Sequence, residues 1–331
     1  MPAARPAAVA VTLAAVVTLL FAVSLAVGPA GFPLGEAIAG LWAAEPPVIT
    51  TILVELRLPR ALLGLMVGAT LGLSGAALQG LLRNPLAEPG IVGVSATAAL
   101  GAVIVFYFGL SASFPLALPL GGMAGAFLAV GLLYLLAGRE AGVLTLILAG
   151  VAVSSLAAAL TSLALNLAPS PYAALEIIQW LLGSLSDRSL DHVRLAAPLM
   201  AIGWAMLFLT GRALDALTLG EDAARTLGFS LRRTQILVVL GTAASVGAAV
   251  SVSGGIAFVG LVVPHVLRPL VGHEPRRLLL VSALGGAALL LAADIAVRLL
   301  ADQSELKLGV LTALVGAPFF LWLIWQTRNE R

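Results

Sequence analysis

A chain of 331 residues that is 60% hydrophobic and only 10% charged, with a mean hydropathy of +1.08, has too little polar side-chain area to coat a water-soluble globule. Its apolar residues run in continuous stretches rather than in the alternation of a β-barrel, so an all-α integral membrane protein is implied and nucleic-acid binding is not expected. With no cysteine and three separated histidines, His192, His265 and His273, neither a disulfide framework nor a protein-built metal site is expected.

Ten spans are predicted in chain order. Ala8–Val27 is long enough to cross a bilayer and reads as an uncleaved first span rather than a signal peptide. Residues 31–56, with Glu36, Glu45, Pro46, Pro47 and Glu55, read as an external loop carrying one short surface helix around Ala37–Ala43. The second span, Ala61–Leu82, sets Gly64, Gly68 and Gly72 on one ridge with Gly75 beside it, a spacing that lets helix backbones approach closely. Gln79 near its inner end is expected to bond to a neighbouring helix.

Ile91–Phe108, Leu116–Ala137 and Val143–Leu165 follow as the third to fifth spans. In the loop Asn166–Arg194, the piece Trp180–Gly183 is predicted to be a short helix at the membrane interface. After the sixth span, Leu195–Leu209, about two dozen residues, roughly 213–233, are charged and helical. Glu221 and Arg225 stand four apart there, and Ala223, Ala224 and Leu227 supply an apolar side before Gly228 ends the segment. Gln235–Val252 is the seventh span, broken by Ser253-Gly254-Gly255. Ile256–Leu270, containing Pro264, is the eighth, and Leu278–Leu299 and Leu306–Trp325 complete the set.

With the N-terminus inside and the spans alternating, Arg5, Arg83, Arg139, Arg212, Arg225, Arg232, Arg233, Arg268, Arg276, Arg277, Arg328 and Arg331 fall on the cytoplasmic side. Arg57, Arg60, Arg188, Arg194, Arg298 and Lys307 fall outside, so both termini are expected in the cytoplasm. Arginine pairs precede a Gly/Ala-rich span at Arg57/Arg60 and, from the opposite side, at Arg232/Arg233, which fits an inverted repeat.

Pro59 restricts Leu58 and so predicts that Arg57 and Arg60 are presented at a helix start. Interfacial snorkelling is the plain alternative, and Arg298 also lies four residues after Asp294, where an intrahelical pair would form. The turn Asn84–Gly90 can be a simple connector, its prolines ending helices. The only lysine is Lys307, and no G-x-x-x-x-G-K-[ST] sequence exists, so the chain does not itself bind ATP through such a loop. No nucleophile–base or paired-carboxylate arrangement is present, and an enzyme is not expected.

Five motifs carry a family resemblance: RLPR at 57–60, NPLAEPG with GVS at 84–95, LGEDAARTLG at 219–228, SGGIAFVGLVVPHVLR at 253–268, and ELKLGVLTALVGAPFFLWL at 305–323. Over nearly its whole length the chain resembles the FecCD-type permease subunits of ATP-binding-cassette importers, which take up iron–siderophore chelates, haem and vitamin B12. The resemblance implies a single transmembrane domain over 1–331, of the vitamin-B12-importer type, in the bacterial inner membrane. It implies a second permease copy, two ATPase subunits that hold ATP and Mg, and a periplasmic substrate-binding protein, with no cofactor on this chain. Arg57, Arg60 and Arg298 are then expected to dock the binding protein. Leu219, Gly220, Glu221, Asp222, Ala223, Ala224, Arg225, Leu227 and Gly228 would form the coupling helix toward the ATPase, and Asn84 and Leu86 would line a cytoplasmic gate. Cargo would be a metal chelate, iron–siderophore first and cobalamin or haem next, moved by alternating access. The competing class is an ion-coupled secondary transporter, which would need a membrane-embedded acid such as Asp294 as a relay.

Overall fold

Inside a bilayer every backbone N–H and C=O must find its partner within its own segment, so apolar stretches this long become helices. The computed structural model describes residues 6–28, 33–43, 47–114, 116–138, 142–300 and 306–329, and all regular structure among them is helical. The helices are α1 (Pro6–Ala26), α2 (Leu34–Ala39), α3 (Val48–Ile52), α4 (Leu58–Leu82), α5 (Val94–Tyr107), α6 (Leu110–Ser113), α7 (Ala117–Ala137) and α8 (Val143–Asn166). They continue as α9 (Pro171–Leu181), α10 (Leu190–Leu209), α11 (Gly211–Leu217), α12 (Glu221–Thr226), α13 (Leu231–Ser253), α14 (Val259–Leu267), α15 (Pro275–Leu300) and α16 (Leu308–Asn329). Among the described residues, 7 segments are long and apolar enough to cross a membrane, and three shorter apolar helices, Val94–Tyr107, Val259–Val271 and Leu308–Leu323, occupy the remaining predicted span positions.

Several local expectations change. Residues 48–57 are helix, not loop: α3 runs through a π-helical turn, Leu53–Arg57, straight into α4, giving one continuous segment, Val48–Leu82. Leu58 is right-handed helical in spite of Pro59 (φ −63°, ψ −48°), because a π turn is wider than an α turn and makes room for the proline ring where an α turn would clash. The surface helix expected at Ala37–Ala43 is α2 followed by a 3-10 turn, Gly40–Trp42.

The third span is also shortened. A 3-10 turn, Pro89–Val92, and a left-handed Gly93 precede α5. The eighth is a half-helix: after Gly254-Gly255 the chain runs without regular structure to Phe258, left-handed at φ 68°, and α14 begins only there. Gly260 meets Leu71 and Gly75, midway along α4, so α14 starts deep in the protein rather than at its edge. Trp180, expected to anchor at the interface, ends a longer helix capped by Ser170 and is buried edge-on against Phe106, 6.4 Å between ring centres.

The glycine ridge of α4 packs on α15. Gly68 faces the Gly286 carbonyl, Gly72 faces the Ser282 carbonyl, and Gly286 in turn faces Gly68, while Gly75 meets Gly260 of α14. The two most enclosed spans, α4 and α13, lie side by side with Ser74 and Ser245 hydroxyls 3.4 Å apart, and Trp204 of α10 donates to Thr70 of α4 at 2.8 Å. Gln79 meets its expected neighbour, donating to the Gly260 and Leu261 carbonyls at 3.4 Å and accepting from Arg268.

A methyl group at Gly72 would overlap the Ser282 carbonyl, whereas one at Gly131 of α7 meets nothing within 4 Å. Gly72→Ala is therefore expected to cost about 1–3 kcal/mol in stability. Heating the detergent-solubilised protein and scoring the remaining monodisperse fraction should show a clear loss for Gly72→Ala and none for Gly131→Ala.

Candidate functional site

Two polar regions lie at opposite ends of α4 and α15. At the first end, α4 contributes Arg60 and the preceding π turn contributes Arg57, while α15 contributes Asp294 and Arg298 and α1 its C-terminal carbonyls. Arg60 Nε lies 2.9 and 3.1 Å from the two Asp294 carboxylate oxygens, and an Arg60 Nη lies 2.9 Å from Oδ1, a forked pair. Arg298 reaches the other oxygen of Asp294 at 3.0 Å. Asp294 itself is 1% exposed.

The remaining donors close the end of α1. Arg57 donates to the carbonyls of Leu25 and Ala26 at 2.9 and 2.7 Å. Arg298 donates to those of Ser24 and Val27 at 2.8 and 2.9 Å and to the Ser24 hydroxyl. These are carbonyls with no partner further along the helix, at the end where its dipole is negative, so cations satisfy both needs at once.

The three arginines expected to act together are thus brought together, but they are turned largely inward. The Arg298 side chain is only 8% exposed, and that of Arg60 20%. The intrahelical Asp294–Arg298 pair, open as an alternative from the sequence, is formed. What sequence reasoning missed is the link from Arg57 and Arg298 to α1; the only hint was Ser24 near the end of an otherwise apolar run.

At the second end, α11 packs its Ala213, Leu214 and Leu217 inward, and Asp215 accepts the backbone N–H of Arg276 at 2.8 Å, capping the start of α15. Beyond it, α12 is bracketed by two left-handed glycines, Gly220 (φ 103°) and Gly228 (φ 85°). A side chain at either would be strained, so the sequence places glycine where the chain must turn sharply into and out of a six-residue helix. Glu221 pairs with Arg83 at the end of α4, 3.4 Å, and with Arg225 at 3.9 Å, while Arg225 also approaches Asp222 at 3.7 Å.

The apolar side expected for this segment is split. Ala224 is buried against the body and Ala223 half-buried, but Leu227 lies past the last helical turn and points out. Leu219 and Leu227, 70% and 59% exposed, flank the charged helix on its free surface.

Between α4 and α5, left-handed Arg83 ends the helix, and the Asn84 side chain accepts the Leu86 N–H at 2.9 Å, closing an Asx turn. Asn84 and Leu86 are half-buried, Ala87 and Pro89 fully. Pro89 packs against Gly260, so this connector folds back against the start of α14. Of the histidines, His192 sits in the first turn of α10 against Ser189, and His265 lies edge-on to Phe319, 6.0 Å between ring centres, its Nδ1 buried with no hydrogen-bond partner among the described residues.

A family model described as the FecCD transport family matches residues 16–326. The chain is 42% identical over 278 residues to the Fe(3+) dicitrate transport system permease protein FecD of Escherichia coli (strain K12), covering 84% of this chain and 86% of the relative. It is 38% identical over 322 residues to the hemin transport system permease protein HmuU of Yersinia pestis, covering 95% of each. A solved structure described as a metal-chelate type ABC transporter in an inward-facing conformation is 31% identical and matches with a TM-score of 0.85, covering 96% of this chain and 98% of that one. The all-helical fold, with seven long and three shorter apolar helices among the described residues, and these matches agree: the chain belongs to the FecCD transport family and is a permease subunit of an ATP-binding-cassette importer.

Proposed function

We propose that this permease imports an iron–siderophore complex across the bacterial inner membrane as a homodimer, served by two ATPase subunits and a periplasmic binding protein. The observation that carries the reading is the placement of the arginine cluster and the 219–228 segment at opposite ends of the same two helices, α4 and α15. A load applied at either end is transmitted along helices that touch backbone to backbone. The arginine end faces the periplasm, in keeping with the charge distribution, and both termini are cytoplasmic. Iron–siderophore is preferred on the breadth of the family; a ferric dicitrate relative is 42% identical, cobalamin relatives 41% and a hemin relative 38%, so cobalamin and haem are the next candidates.

Docking falls chiefly to Arg60, since Arg57 and Arg298 are engaged by α1 and act mainly through their charge. The ATPase receives α12 with the exposed Leu219 and Leu227, and the half-buried Asn84 and Leu86 border the cytoplasmic gate. Asp294 holds two guanidiniums and so lacks the free valence of a proton relay.

In proteoliposomes containing the permease, its ATPase and the loaded binding protein, uptake of a ferric siderophore should require ATP and stop with AMP-PNP. Uptake driven by an ion gradient with the permease alone would overturn the reading, and a binding protein that selects cobalamin or haemin over ferric siderophores would replace the cargo.

Leu219→Glu with Leu227→Glu should weaken ATPase association by roughly 2 kcal/mol, as loss of an apolar anchor does. Because both side chains are exposed, the permease itself should remain folded, and retention of the ATPase through purification measures the effect.

Arg60→Glu should reduce binding-protein affinity at least about tenfold, by replacing an attraction with a repulsion. Surface-immobilised permease–ATPase complex titrated with loaded binding protein checks this, and Arg60 is the cleaner variant because changing Arg57 would also uncap α1.

A further inference from the structure

In the arginine cluster two guanidiniums, those of Arg60 and Arg298, share the one carboxylate of Asp294. Two of the three arginines are anchored: Arg57 and Arg298 each donate to carbonyls at the end of α1. Arg60 differs, for among the described residues its polar contacts are with Asp294 alone, and it is the more exposed partner of that carboxylate.

We propose that Asp294 is a placeholder carboxylate, holding the Arg60 fork in the undocked permease and yielding it to a carboxylate of the binding protein. The inference rests on the docking role proposed above. Exchange of a buried ion pair is normally blocked because one charge is left without a partner. Here neither is. When Arg60 swings to an incoming carboxylate, Asp294 still has Arg298 at 3.0 Å, and Arg298 is held in place by Ser24 and Val27 and does not have to move.

The exchange has a mechanical consequence. Arg60 belongs to α4 and Asp294 to α15, so their pair fastens the two helices at one end, about two turns from the glycine contact at Gly68 and Gly286. Docking unfastens that end while the contact at Gly68 stays closed, so an external partner changes how two central helices are joined without entering the membrane.

The test measures the affinity of loaded binding protein for permease–ATPase complexes in nanodiscs. Asp294→Asn frees Arg60 but also adds one net positive charge to the cluster. The double variant Asp294→Asn with Arg298→Gln frees Arg60 and removes one charge of each sign, so the net charge of the cluster is unchanged, while Arg57 still closes the end of α1. Both should dock about fivefold or more tightly than the parent, because no internal carboxylate competes for the fork. A purely structural pair would give unchanged or weaker docking in both, which overturns the placeholder. Tighter docking by Asp294→Asn but not by the double variant would attribute the gain to charge alone, and also overturns it. If Asp294→Asn does not assemble, the double variant decides. Arg60→Glu separates the two ideas: normal docking by that variant removes the docking role itself, whereas lost docking with no tightening in the Asp294 variants removes only the placeholder.

Discussion

The backbone contact between α4 and α15 is the constraint on which the rest of this structure depends. Lipid tails are as apolar as leucine, so two membrane helices gain little by hiding apolar side chains from their surroundings and must rely on close packing. Gly68 and Gly72 against Gly286 and Ser282 supply it, each removing the side chain that would hold the helices apart. Because the helices meet so closely in the middle, their ends are near enough for side chains to meet as well. Arg60 forks onto Asp294 at one end, and at the other Asp215 caps α15 beside the pair that Glu221 makes with Arg83. One seam of small residues therefore positions both polar regions.

Burying Asp294 and Arg298 at 2% and 8% side-chain exposure would be costly if either stood alone. The protein offsets this with the unused carbonyls at the end of α1. That helix is otherwise poorly enclosed, packing on the main core through Val9, Ala10 and Leu13 and on α15 through a small cluster in which Val17 meets Ala287 and Leu291. Its attachment at this end is therefore largely the hydrogen bonds from Arg57 and Arg298. A feature that looks like a surface of free positive charge also fastens the first span to the helical body.

The half-helix α14 shows the same logic applied to backbone groups. A helix that starts in the interior leaves N–H groups without partners, and these cannot be left bare in a low-dielectric setting. Pro264 adds an orphan acceptor, since it has no N–H for the Gly260 carbonyl, and Gln79 donates to that carbonyl and to the one of Leu261. Gln79, near the end of α4, thus ties that helix to the start of α14.

Ten apolar segments, the glycine ridge and the two charged ends were legible in the amino-acid order, because bilayer length, small-residue spacing and arginine placement each leave a one-dimensional trace. Their extent was less so. Pro59 signals a helix start by its local geometry, and only the neighbouring π turn, which accommodates its ring, carries the helix back to Val48. Ile256–Leu270 has the length and hydrophobicity of a span, but Gly254 and Gly255 let the chain run unwound until Gly260 meets Gly75. Trp180 has the character of an interfacial residue and is buried because Phe106, 74 positions away, lies against it.

Sequence by itself determined the helical membrane class, through composition, and the family, through its motifs, and the resemblance in turn implied that Arg57, Arg60 and Arg298 act together. Tertiary structure alone decided what those arginines touch. Whether a guanidinium faces a partner, a carboxylate or a helix end depends on which backbone carbonyls arrive beside it, and Ser24 to Val27 reach Arg298 from more than 270 residues away only after the helices have packed.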